Sequence, residues 1–202
     1  MPRTPEQNKN IKDRRRSKLL AYALKAFAEN GYDHTAVDDI TKPAKCSHGL
    51  FYHYFDSKEA VFSALIAEYL SGDNELPTQQ ALALGGTKGL RLIAEHAEAV
   101  SKGSTRDIAV AKITISLSLA NGLDAEAKAF AKAHDLFAAL TTLVKQGQEE
   151  GKVIAGNPKE IAIAFIDMVE GGLNRLYRRS SEPFASADIL FAFLLKEPLI
   201  ND

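Results

Sequence analysis

The sequence predicts an all-α chain, with a small unit of three short helices ahead of a longer helical bundle. Three observations carry that expectation. Apolar residues recur at helical spacing along nearly the whole length. Helix-start and helix-stop residues punctuate it at short intervals. No alternating strand pattern and no hairpin turn signal competes.

Bulk properties narrow the function classes. The 202 residues hold 25 Lys and Arg against 26 Asp and Glu and are 46% hydrophobic, ordinary values for a folded chain with a real core. The single cysteine, Cys46, excludes an internal disulfide framework and any multi-cysteine zinc site. Five scattered histidines offer no metal set. No nucleophile–base grouping and no phosphate-cradling glycine loop can be assembled, so neither catalysis nor a cofactor is expected. Met1 to Lys18 is polar and basic, without the apolar run of a signal peptide. No stretch approaches the ~18 apolar residues of a membrane span. The expected compartment is cytoplasmic. The net charge of −1 conceals an asymmetry: the first 18 residues carry +5, the first 60 carry +3, and the other 142 carry −4.

Leu20, Ala23, Leu24 and Phe27 mark one face of a first helix, which Gly31 stops. Thr35 is the expected cap of a second, with Asp38 reaching back to the cap residue's own N–H. Pro43 keeps that helix short. Ser47 caps a third, His48 to Tyr54, and a fourth begins at Lys58 after Asp56 and Ser57. Ser71 to Gly86 reads as a loop or a broken helix. A fifth helix carries Leu90, Ile93, Ala94, Ala97 and Val100 and ends at Gly103. A sixth carries Ala109, Val110, Ile113 and Leu117 and stops at Asn121-Gly122. Asp124 opens a seventh, long helix through Phe130, Ala133, Phe137, Leu140 and Val144, ending among Gly147 to Gly151. Asn157-Pro158-Lys159-Glu160 is a strong start for an eighth, running to about Arg178. A last helix spans roughly Ser186 to Leu195. Helices eight and nine are apolar on more than one face.

Three short helices in about 45 residues, with a tight turn between the second and third, have helix-turn-helix dimensions. The third is unusual: His48-Gly49-Leu50-Phe51-Tyr52-His53-Tyr54-Phe55 sets four aromatics beside two histidines. Phe51 and Phe55 fall on the inward face. Tyr and His place hydrogen-bonding tips on apolar bodies, which suits phosphate oxygens and base edges. Gly49 leaves room for close approach of a sugar-phosphate strand. For Cys46 the preferred reading is a small apolar residue in the turn.

Residues Arg16 to Phe62 resemble the N-terminal domain of TetR-family transcriptional regulators. The resemblance rests on Leu19-Leu20, Ala23-Leu24, Phe27, Gly31-Tyr32, Thr35, Val37, Ile40, Ala44, Ser47, Gly49, Phe51 to Phe55 and Ser57-Lys58-Glu59. It implies a helix-turn-helix DNA-binding domain over 1–58 and an all-helical effector-binding and dimerisation domain over 59–202. It further implies a homodimeric, ligand-responsive repressor of a palindromic operator, held by its last two long helices and released by a small organic effector. Ser47, His48, Gly49 and Leu50 match the start of the recognition helix, Tyr52 and Tyr54 its phosphate and base contacts, and Thr35 and Lys58 backbone contacts. Arg14 and Arg15, in the basic arm, match further phosphate or minor-groove contacts; for His53, packing is an equal reading. Lys45 stands where the family has a turn glycine, and Leu50 where it has Thr. His96, Asn121, His134, Phe137, Glu170 and Asn174 fall where the family's effector cavity forms. For His96 and His134 the alternative is a satisfied core histidine. Gly171-Gly172, inside a helix, reads either as tolerated weakness or as close approach at the dimer seam or ligand. Two rival readings stay open: a DNA-binding protein without an effector, and an all-α carrier or enzyme with a structural N-terminal unit.

Overall fold

The structure, a computed structural model, describes residues 4–70, 77–116, 125–178 and 181–197. Among the described residues the regular backbone is helical, apart from one isolated antiparallel bridge between Val153 and Leu195. The chain divides into two compact units. One holds the described residues up to 70 together with 125–130; the other holds 77–116 and those from 131 onward.

In the first unit, α1 spans Pro5–Asn30. Thr4 caps it through a reciprocal pair: the Gln7 N–H donates to Thr4 Oγ1 at 3.2 Å, and the Thr4 N–H donates to Gln7 Oε1 at 3.0 Å. The basic stretch expected to be an arm is therefore the N-terminal half of a 26-residue helix. The α2 helix (Val37–Ala44) starts one residue later than expected. Ala36 takes the cap position, and Asp39, not Asp38, accepts its N–H at 2.8 Å. The Thr35 hydroxyl is instead turned inward, 2.6 Å from Gly31 O and 3.2 Å from Ala26 O, where it closes the end of α1.

The α3 helix (His48–Tyr54) begins at the expected cap, Ser47, and α4 (Lys58–Leu65) begins at the expected residue, with Ser57 as its cap. A π-helical turn, Ile66–Leu70, continues α4. Phe27, Phe51 and Phe62 are fully buried, and Phe62 meets Phe27 edge to face at 5.2 Å. That contact joins α4 to α1 within the first unit.

The second unit contains α5 (Thr78–Leu84), α6 (Gly86–Ser101), α7 (Thr105–Ser116), α9 (Leu136–Glu149), α10 (Pro158–Tyr177) and α11 (Ala187–Ala192); α8 is Ala125–Ala133. The stretch before residue 86 is thus a helix from 78 onward. Its packing against α6 explains Gly89: a Cβ there would lie 2.4 Å from Ala81 O and 2.5 Å from a Leu143 methyl. The start of α6 is capped from a distance, because Gln146 accepts the Gly86 N–H at 2.9 Å and Glu150 accepts the Thr87 N–H at 3.2 Å and hydroxyl at 2.7 Å. The expected long seventh helix is split. Asp135 accepts the Ala138 N–H at 3.0 Å and so opens a new helix. Its proposed start at Asp124, and Leu117, Asn121 and Gly122, lie outside the described residues.

Asn157 caps α10 as expected, accepting the Lys159 N–H at 3.0 Å. The last helix is six residues, so the two terminal helices are not both long. It ends at Ala192 because the chain turns to bond the segment before α10: Ile154 N–H donates to Leu194 O at 3.0 Å and Lys196 N–H to Lys152 O at 2.8 Å. Gly172 leaves room for the Phe184 ring, which a Cβ would meet at 2.7 Å. The close approach at Gly172 is thus made within the chain. No described helix is long and apolar enough to cross a membrane.

Candidate nucleic-acid interface and cavity

The turn between α2 and α3 is built on a strained residue. Lys45 sits at φ 53° and ψ 50°, the left-handed region that favours glycine. It lets the chain reverse while the Lys45 N–H bonds back to Lys42 O at 3.1 Å and the Cys46 N–H to Thr41 O at 3.0 Å. Ser47 then accepts the Leu50 N–H at 3.2 Å and launches α3.

Packing decides which face of α3 is available. Phe51 is fully buried and Phe55 nearly so. His48, Gly49, Tyr52 and His53 are exposed, with Tyr52 at 51%; Leu50 and Tyr54 are half-buried. The His53 ring lies 5.1 Å from that of Tyr54 and is not packed into the core. Nothing lies within 4 Å of a Cβ built on Gly49, so open space faces that backbone. Asp38 of α2 pairs with both His48 and Lys42, the latter at 3.0 Å. The Lys42 contact, with the His48 contact second, holds the Asp38 carboxyl below its usual range.

The basic half of α1 borders this surface. Burial pushes the Cys46 thiol up, while the positive charges of Lys18 and Arg15 oppose that shift. The turn cysteine therefore lies within electrostatic reach of α1. Arg14 and Arg15 are exposed, and Arg16 covers the Phe55 ring at 5.3 Å and pairs with Glu68 at 3.4 Å.

Two expected contact residues are placed otherwise. Thr35 is 2% exposed, and its hydroxyl is committed to backbone carbonyls. Lys58 donates to Tyr32 O at 2.9 Å, with its ammonium 4.4 Å from the Tyr32 ring centre. The sequence reading missed both partners of Asp38: the spacing of four signals Lys42, while nothing in the spacing signals His48.

The second unit contains an apolar cavity bounded by α6, α7, α9 and α10, with free space of about 20 Å³, roughly one water molecule. Its wall includes Ile93, Ala97, Ala111, Leu136, Phe165 and Val169, with His96 among them. Burial pushes the His96 imidazole below the usual histidine range. Of the five effector candidates among the described residues, His96 alone lines this cavity. His134 is buried at the α8–α9 junction, Phe137 packs against the core, and Glu170 and Asn174 are half-buried on α10. Asn121 lies outside the described residues. Lys112 on α7 was not singled out by sequence; it is 8% exposed, with its ammonium 4.5 Å from the Tyr177 ring centre.

Residues 19–65 match the family model described as bacterial regulatory proteins, tetR family. Among curated relatives, the HTH-type transcriptional repressor Rv1474c of Mycobacterium tuberculosis is 25% identical over 176 residues, covering 87% of this chain and 89% of that protein. The uncharacterised HTH-type transcriptional regulator YuxN of Bacillus subtilis is 45% identical over 51 residues, 25% of this chain and 18% of that one. Among solved structures, an alanine-substituted mutant of HlyIIR aligns over 98% of this chain and all of its own, at TM-score 0.66 and 16% identity. AibR, solved with isovaleryl coenzyme A and operator DNA, aligns over 88% and 94% at TM-score 0.56 and 19% identity. Those two likenesses establish the shared fold. The helix-turn-helix segment thus matches that of tetR-family regulators, and the chain is similar over 87% of its length to a curated transcriptional repressor.

Proposed function

We propose that the chain is a ligand-responsive repressor that binds a palindromic operator as a homodimer and is released by a small organic effector. The observation that carries DNA reading is the division of α3: Phe51 is locked in the core while His48, Gly49 and Tyr52 face outward beside the cations of α1. Residues 1–58 read the DNA, Ser47, His48, Gly49, Leu50, Tyr52 and Tyr54 contact the site, and Arg14 and Arg15 add phosphate contacts. Thr35 and Lys58 act indirectly, through the loop they brace.

Residues 59–202 sense and dimerise. Ile163 on α10, and Ile189 and Phe193 at α11, are exposed large apolar side chains suited to burial against a second copy. Two α3 helices then lie about one DNA turn apart, or modestly further. An effector bound preferentially to a state with different spacing opposes DNA by reciprocal linkage. The M. tuberculosis relative's description as a repressor supports this direction of control. The chain acts by binding, without catalysis, in the cytoplasm.

The test uses DNA fragments that the chain selects from a random library, titrated by fluorescence anisotropy. Tyr52→Ala, at an exposed position, leaves the fold intact and weakens binding by about tenfold, the worth of one charge-assisted hydrogen bond. Unchanged affinity would remove α3 from the interface.

A further inference from the structure

A small charged cluster joins α2 to the start of α3. The Asp38 carboxylate of α2 is shared between Lys42 Nζ, 3.0 Å from its Oδ2, and His48 Nε2, which contacts its Oδ1. The Lys42 ammonium, ahead of the His48 ring, keeps that carboxyl below its ordinary range, so it is ionised at neutral pH. An ionised carboxylate only accepts hydrogen bonds, so the His48 nitrogen against it carries a hydrogen. The tautomer follows. In the neutral ring Nδ1 is a bare acceptor, and a second proton turns it into a donor. Other polar or charged groups surround the ring on three elements. They are Lys42 on α2, Tyr52 on α3, its ring 6.4 Å away, and Lys18 and Arg15 of α1, whose charges reach the turn at Cys46.

His48 is exposed and directly follows the cap of α3. Phosphate oxygens and guanine N7 are both acceptors. A bare Nδ1 set against either is repelled, whereas Nδ1–H bonds to it. The negative charge of DNA favours the charged ring further. Histidine is also the side chain whose charge changes between about pH 5 and 8.

We propose that DNA binding takes up one solvent proton on His48, that Asp38 holds Nε2–H, and that Nδ1–H donates to guanine N7 or a phosphate oxygen. Asp38 is thereby a positioning residue for recognition. The proposal rests on the reading of α3 as the DNA-contacting helix.

The test titrates the full chain with the DNA it selects, by anisotropy from pH 8.5 to 6 and by calorimetry at pH 7 in phosphate and in Tris. Affinity rises as pH falls, by at most about tenfold per pH unit for each proton taken up. The two buffers give different binding enthalpies, because they release the proton at different cost. In His48→Gln, which keeps a donor but does not titrate, the profile is flat and the buffer difference vanishes. Asp38→Asn moves the rise to lower pH, because the ring loses the anion that favours its charge. His34→Gln and His53→Gln, at two further exposed histidines, leave the profile in place. Loss of the pH dependence on DNA made with 7-deazaguanine assigns the acceptor to guanine N7, and loss with methylphosphonate linkages assigns it to phosphate; loss with neither overturns the proposal. A profile that survives in His48→Gln, or that Asp38→Asn does not move, also overturns it. Binding that Tyr52→Ala weakens, but that takes up no proton, refutes this proposal alone. A chain that selects no DNA, or that Tyr52→Ala leaves unaffected, refutes the reading of α3 as well.

Discussion

At the residue scale, Lys45 carries a cost that its neighbours enforce. An L-residue with a side chain in the left-handed region is disfavoured by roughly 1–2 kcal/mol, while glycine loses more freedom on folding. Lys45→Gly therefore stabilises the chain by about 1 kcal/mol in urea unfolding, with an unchanged m-value. Glu150 sets a pH dependence. The Thr87 hydroxyl, ahead of the Thr87 N–H, holds its carboxyl below the ordinary 4.5. Its folded pKa lies below its unfolded one, so its contribution is complete above the unfolded value and fades as pH falls through the folded one. Thr87→Val removes the leading cause, and stability measured between about pH 5 and pH 3 then falls less steeply than in the parent chain. Lys45 was legible because the turn's geometry follows from one missing glycine. The Asp38–His48 pair was not, because it joins residues ten apart across a turn whose closure sequence spacing does not specify.

At the scale of elements, starts were read better than ends and breaks. Ser47, Ser57 and Asn157 announce their helices because a cap is local chemistry within three residues. The break at His134–Asp135 was hidden by the apolar stripe from Phe130 to Val144, which keeps helical spacing across two helices. The last helix was overextended because Phe193, Leu194 and Leu195 look helical; Leu194 is buried by a turn, and Leu195 bridges to Val153. The seam between α5 and α6 was invisible in composition and depends on an absent side chain. Gly89→Ala forces a methyl to within 2.4 Å of Ala81 O, and thermal or urea unfolding will show a loss of about 1–3 kcal/mol, the usual range for overpacking.

At the scale of the whole molecule, a net charge of −1 is compatible with a polyanionic partner because α1 holds seven Lys and Arg against three Asp and Glu. Each phosphate neutralised contributes about −0.9 to the slope of log K against log salt. Arg14 and Arg15 replaced together by Ala should therefore flatten that slope by about 2, measured on selected DNA; an unchanged slope would place α1 away from the backbone. The exposed face of α3 was legible because it lies in one contiguous segment. The cavity was legible only at His96, because its remaining wall is the aliphatic carbon of helices far apart in sequence, indistinguishable residue by residue from core.

The continuity of α1 bears on how its cations are presented. Starting a helix is the unfavourable step, and extending one is nearly neutral for good helix formers. The packed segment around Leu20 to Phe27 supplies the nucleus, so the turns from Pro5 to Lys18 need only propagate from it. A coil carrying the same charges would give up about 1–2 kcal/mol per residue on being ordered. These fourteen residues instead arrive as a rod of about 21 Å, with Thr4 and Gln7 sealing its free end.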